Sequence, residues 1–184
     1  MEEFVTTRDD LKIFHEMKID FGAIGLDWGG EFFPCFCTPA GAERVGSIGC
    51  DGIHFVLLPG DEAVYCVDPS MGEVGTYVLP VAGDFREFLS FVLCCKDANP
   101  LSQICWMPEE RFREFAEEDA AARQDAGNAE FFAKKDAALA AIADAFGIAP
   151  DAPYDKVKSM QAAFDPSVLR FSDEYYDALG LERE

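Results

Sequence analysis

Residues 51–89 read DGIHFVLLPGDEAVYCVDPSMGEVGTYVLPVAGDFREFL, and this stretch decides the fold. Asp51-Gly52 is a turn signal, and Ile53 to Leu58 is an apolar, partly β-branched run that suits a buried strand. Pro59-Gly60-Asp61-Glu62 makes a turn, and Ala63 to Val67 a second strand. A second turn spans Asp68 to Gly72, and Val74 to Val81 makes a third strand. Connections this short predict an antiparallel meander. A helix then starts at Asp84, an N-cap residue with Glu87 three positions on, as in a capping box. Phe85, Phe88, Leu89, Val92 and Leu93 fall on one face of that helix, which the adjacent sheet would cover.

Upstream, an approximate apolar face formed by Phe4, Leu11, Phe14 and residues 17–19 predicts a short helix within residues 1–20. Gly22, Gly25, Gly29 and Gly30 interrupt regular structure, and Glu31 to Cys37 reads as a strand weakened by Pro34. The texture changes near Asn99-Pro100, where Gly, β-branched and aromatic residues give way to Ala, Glu, Asp and Arg. Helices are expected after Pro108, carrying Phe112 and Phe115, and after Asn128, carrying Phe132, Leu139, Ile142 and Phe146 and ending at Gly147. Two more are expected, over Pro153 to Phe164 and after Ser172. The expected class is therefore α+β: a central antiparallel sheet, a helix packed after the meander, and a helical C-terminal appendage. The expected division is an α+β core over residues 1–98 and a helical extension over 99–184 packed on it.

Of 184 residues, 49% are hydrophobic and 17 are Phe, enough for a folded core. The formal charge is −20, from 35 acidic and 15 basic residues, which disfavours DNA, RNA and anionic lipid and would speed encounter with a basic protein. No apolar run reaches the roughly 18 residues that a membrane span requires. Met1-Glu2-Glu3-Phe4 lacks the basic-then-apolar order of a secretion signal, and the 7 Cys are scattered through apolar stretches, so a reduced, cytoplasmic protein is expected.

Catalytic signatures are weak. No phosphate-binding loop or nucleophile elbow is present, and Gly22-Ala23-Ile24-Gly25 fails as a dinucleotide fingerprint because Trp28 stands where a third glycine belongs. His54 reads as a polar-face or hydrogen-bonded structural histidine in its strand; as a base it would need a nucleophile such as Cys50 or Cys66. Cys35-Phe36-Cys37 and Cys94-Cys95 lack the two-to-four-residue spacing of structural zinc sites and read as core residues. No cofactor and no metal is expected.

The more unusual feature is charge. Between Arg44 and Lys96 the sole basic residue is Arg86, against Asp51, Asp61, Glu62, Asp68, Glu73, Asp84 and Glu87. The turn carboxylates Asp51, Asp61, Glu62, Asp68 and Glu73 would form an acidic rim at the ends of the sheet, with Tyr65, Tyr77 and Trp28 as aromatic anchors.

The stretch from Val45 to Cys95 resembles the SUKH superfamily, which includes fungal cell-wall-synthesis regulators and bacterial toxin-immunity proteins. The likeness is carried by Ser47-Ile48-Gly49-Cys50-Asp51-Gly52, Phe55 to Leu58, Val64-Tyr65-Cys66-Val67-Asp68, Gly75 to Val81, and Asp84-Phe85-Arg86-Glu87-Phe88-Leu89. It covers under a third of the chain. The region Phe21 to Gly30 departs from the family's Leu-Pro step and Asn-Gly turn, and the helices after Asn99 lie outside its core pattern. The resemblance implies a non-enzymatic protein-binding domain of the immunity type, neutralising a basic toxin domain such as a nuclease, as a monomer or weak homodimer. A regulatory or scaffold domain associating through its helical tail is the alternative, and an exposed patch of Phe131, Phe132 and Phe146 would favour it. An enzyme would instead show a deep pocket gathering His54 or a cysteine with carboxylates.

Overall fold

Two turns set the centre of the molecule. In the first, Asp51 (φ 54°) and Gly52 (φ 71°) both take the left-handed conformation, and the Ile53 amide donates to the Cys50 carbonyl at 3.1 Å. That is the tight hairpin turn that Asp-Gly favours, and it joins a strand over Glu43–Ser47 (β1) to one over His54–Leu57 (β2). The second turn, over residues 58–61, leads to Val64–Val67 (β3), and Val78–Ala82 (β4) follows. The four strands form one antiparallel sheet in the order β1-β2-β3-β4. This computed structural model describes residues 6–182; the expected contribution of Phe4 lies outside them.

Seven α-helices are present among the described residues: α1 (Thr7–Glu16), α2 (Phe85–Cys95), α3 (Asn99–Gln103), α4 (Glu109–Ala122), α5 (Ala129–Phe146), α6 (Tyr154–Ala163) and α7 (Asp173–Leu179). The class is α+β, as the sequence pattern predicts. The α2 cap differs in one detail from a capping box. Asp84 accepts from the Glu87 amide at 2.8 Å, but Glu87 Oε2 takes the Gly83 amide at 2.7 Å.

Two strand expectations are corrected, and one strand is additional. Residues 31–37 form no strand; the chain turns there, with the Thr38 amide donating to the Cys35 carbonyl at 2.9 Å. The run from Val74 becomes regular only at Val78, and Val74 itself is 53% exposed. β1 was not anticipated, because Arg44 and Gly46 give it neither alternation nor β-branched density.

Side-chain alternation divides the sheet into two apolar faces. Phe55 and Leu57 of β2 with Val64 and Cys66 of β3 meet Leu11 and Phe14 of α1, Phe85, Phe88 and Val92 of α2, and Leu139, Ile142 and Phe146 of α5. Val56, Leu58, Tyr65, Val67 and Val78 point the other way, beneath Cys37, Leu169 and Tyr175. The second face is therefore roofed by the 35–42 loop and the segment Phe164–Leu179, which join through an Ala40 amide to Arg170 carbonyl bond of 2.7 Å. Both sheet edges are also covered. Ser47 donates to the Asp27 carbonyl at 2.7 Å beside β1, and Gln161 of α6 donates to the Pro80 carbonyl of β4 at 3.2 Å. The Asp27 chain runs so close that a Cβ on Gly46 would stand 2.9 Å from the Leu26 carbonyl oxygen, so a larger residue there would displace backbone.

Candidate functional site

The expected acidic rim does not assemble as one surface. Asp61 accepts the Tyr65 hydroxyl at 2.7 Å. Glu62 accepts the Thr7 amide at 2.6 Å, and its carbonyl accepts the Thr7 hydroxyl at 3.0 Å. Asp68 is buried and takes both the amide and the hydroxyl of Ser70, at 2.9 and 2.6 Å. Tyr65 and Tyr77, expected as anchors, are 4% and 7% exposed under the C-terminal segment. Burial, with help from Asp61, pushes the Tyr65 phenol well above its ordinary value. These two tyrosines and Asp68 complete the core and present nothing to a partner. Asp51 and Glu73 are exposed, and Trp28 is half-buried, stacked on His15 with ring centroids 4.0 Å apart.

The helical half carries a more open surface. A groove of about 470 Å³ lies between the end of α2, the side of α4 and the start of α6, with walls that include Cys94, Phe112, Phe115, Ala116, Pro153 and Tyr154. Glu109, Asp119 and Asp155 line it alongside Lys96 and Arg113. α4 buries none of its side chains, so Phe112 and Phe115 stay partly open to the groove. Its attachment is part apolar and part ionic: Phe112 packs against the main core and on Tyr154 with ring centroids 5.4 Å apart, Arg123 at the end of the helix binds Asp136 of α5 at 2.8 Å, and buried Lys135 of α5 binds Asp97 at 2.9 Å with Asp119 at 3.8 Å. Trp106, just before α4, is 55% exposed. Phe132 and Phe146 are buried and Phe131 is 46% exposed, so the three do not form one open apolar patch.

A second cluster lies on the face of the sheet away from α2. The turn that replaces the expected 31–37 strand brings Cys35 Sγ to 3.4 Å from Cys37 Sγ and 3.2 Å from Thr38 Oγ1. Thr38 Oγ1 also stands 3.2 Å from His54 Nε2, and His54 Nδ1 donates to the Gly52 carbonyl at 2.7 Å. That last bond fixes the tautomer, leaving Nε2 of the neutral ring as an acceptor. Burial holds the His54 pKa below its ordinary value, so the neutral ring is favoured. The hydrogen bond from Cys37 draws the Cys35 thiol well below the usual thiol range, helped by Thr38 and the nearby imidazole. Cys37 moves the opposite way, as donor to Cys35 in a buried position. Cys50 and Cys66, the nucleophiles the sequence offers for His54, stand apart from it. Cys50 is exposed at the hairpin turn and Cys66 faces the other apolar cluster, whereas Cys35 is the cysteine that His54 reaches through Thr38. Among the described residues, no group of three or more His, Cys, Asp or Glu side chains is placed to hold a metal ion, and no helix is long and apolar enough to cross a membrane.

No family model matches this chain, and comparison with curated proteins and with solved structures finds no match either.

Proposed function

We propose that this protein is a binding domain that captures a basic protein partner in the groove beneath α4. The observation that carries the reading is the groove itself: aromatic walls from Phe112, Phe115 and Tyr154 beside Asp155 and the Arg113-paired carboxylate of Glu109. An aliphatic or aromatic anchor flanked by Lys or Arg fits that lining. The net charge supports the same partner. Arg8, Arg86, Arg111 and Arg123 are committed to internal ion pairs, each of which also takes an acid, so the net −20 remains to attract a cationic surface. That excess weighs against self-association through the helical half, because a second copy brings the same −20 charge.

The order of meander and capped helix keeps the resemblance to the SUKH superfamily as a reason to expect an immunity-type role in the cytoplasm, with a basic toxin domain as the neutralised partner. The binding surface moves from the sheet to the helical half. The test is affinity capture on the immobilised protein at low salt, elution with rising salt, identification of the eluted protein, and titration of that purified partner. Glu109→Lys combined with Asp155→Lys weakens its binding at least about tenfold, and Glu73→Lys leaves it within about twofold. Equal effects of the two substitutions would remove the groove from the reading, and capture insensitive to salt would remove the electrostatic argument.

A further inference from the structure

The Cys35-Cys37-Thr38-His54 cluster is not used by the binding function and has the parts of a different chemistry. Residues 35–38 form a β-turn in which the sulfurs of Cys35 and Cys37 stand 3.4 Å apart. A shift of little more than 1 Å brings them to bonding distance. Closing so short a loop restrains little of the unfolded chain, so a bond there acts as a redox element and not as a structural staple. We propose that Cys35 and Cys37 form a redox-active dithiol that reduces low-molecular-weight disulfides, with Cys35 as the attacking thiol and Cys37 as the resolving one.

Thr38 connects the nucleophile to a base. Its hydroxyl oxygen accepts the Cys35 amide at 3.0 Å and has one further lone pair and one proton to place. With the proton on sulfur, Cys35 donates to Thr38 and Thr38 donates to His54 Nε2. With the proton moved, the imidazolium donates to Thr38 and Thr38 donates to the thiolate. Every donor and acceptor is satisfied in both arrangements, and the Gly52 carbonyl holds Nδ1–H throughout. His54 therefore carries the Cys35 proton without touching the sulfur. Phe32 packs edge-on against the imidazole with centroids 5.2 Å apart, and Arg44 lies over Phe32. Cys35 remains half-buried at the surface beside the 76%-exposed Phe33, whereas Cys37 is fully buried and need reach only Cys35. Asp68 and Tyr175 face Cys37. The other cysteines lack this setting: burial pushes the Cys66, Cys94, Cys95 and Cys105 thiols up.

The exchange balances as follows for a disulfide RSSR. Cys35 passes its proton through Thr38 to His54, and its thiolate attacks one sulfur. A Cys35–SR bond forms, the S–S bond breaks, and RS⁻ leaves and is protonated at the expense of the imidazolium. Cys37 Sγ then attacks Cys35 Sγ, releasing the second RS⁻, which takes the Cys37 proton. The pair loses two electrons and two protons, and RSSR becomes 2 RSH.

The experiment uses the reduced full chain and the neutral probe 2-hydroxyethyl disulfide, with acid quenching and peptide mass mapping. The wild type is expected to lose two hydrogens, mapped to a Cys35–Cys37 bond. Cys37→Ser should accumulate the mixed disulfide on Cys35, about tenfold or more faster than Cys50 and Cys94 react in the same molecule. Thr38→Val should slow Cys35 about tenfold, and Thr38→Ser should restore it to within about twofold. Reaction at Cys35 no faster than at Cys50 and Cys94 overturns the proposal, as does wild-type oxidation that joins other cysteines. Equal slowing by both Thr38 variants removes the relay. The competition between Cys35, Cys50 and Cys94 needs no substitution at Thr38, so it decides even where Thr38→Val fails to fold.

Discussion

Helices α2 and α4 are of similar length, and they attach to the rest of the molecule through different balances of apolar burial and charge. α2 buries Phe85, Phe88, Leu89, Phe91, Val92 and Leu93, while α4 buries no side chain. α2 is held chiefly by apolar surface removed from water, beside one ion pair from Arg86 to buried Asp10 of α1 at 2.6 Å. α4 rests on the partly buried ring of Phe112 and on the ion pairs of Arg123, Asp119, Asp136 and Lys135, whose attraction depends on charge state and ionic strength. One sheet-packed helix thus fixes the fold, and a tethered one leaves an aromatic-walled groove beside it.

The largest expected effect breaks the comparison on the α2 side. Phe88→Ala removes a fully buried ring packed 5.0 Å from Phe55 and should cost about 3–5 kcal/mol in urea unfolding. Lys135→Ala should cost less, about 2 kcal/mol, because it leaves Asp97 and Asp119 without their buried cation but both keep some access to water. Phe115→Ser should cost at most about 1 kcal/mol, as the ring is only half-buried, yet it should weaken capture of the basic partner. A shift of more than about 3 kcal/mol would mean that α4 belongs to the core.

Acid sharpens the comparison without a mutation. Arg123 holds the Asp136 carboxyl below its ordinary value of 3.8. A carboxyl depressed in the folded state contributes stability that is complete above its unfolded value and lost as pH falls through the folded one. Hydrogen-exchange protection of α4 should therefore fall as pH drops below about 4, while that of α2 persists. Arg111→Ala, which removes an exposed pair with Glu114, should change stability by about 0.5 kcal/mol or less and mark the lower end of the series.

The same contrast explains what the sequence disclosed. α2 is legible because Asp84, the phenylalanine spacing and the preceding meander all specify one outcome. α5 is legible for a similar reason, from Phe132 to the left-handed Gly147 at φ 61°. β1 is not, since Glu43 to Ser47 becomes a strand only by pairing with β2 and by the approach of Asp27. The sheet's double burial was partly written in β3, where Val64, Tyr65, Cys66 and Val67 form an unbroken apolar run, but its roof is a distant, weakly patterned segment. That roof is why Tyr65 and Tyr77 read as surface anchors and stand in the interior. The Cys35–Thr38–His54 chain was hidden for the same reason: the turn at 35–38 reads as a weak strand, and His54 lies 16 residues beyond Thr38. The groove required knowing which faces of α2, α4 and α6 are left uncovered.

The roof over the second face has a consequence for biosynthesis. A ribosome completes β2, β3 and β4 long before it reaches Leu169 and Tyr175, so the emerging meander carries Val56, Tyr65, Val67 and Val78 bare on one side. Helices α1 and α2 can cover part of the opposite side early, but the second face stays bare until residues 164–179 arrive. Premature termination before that segment would yield a sticky, half-finished product, and the folding chain needs shelter for as long as translation of the helical half lasts.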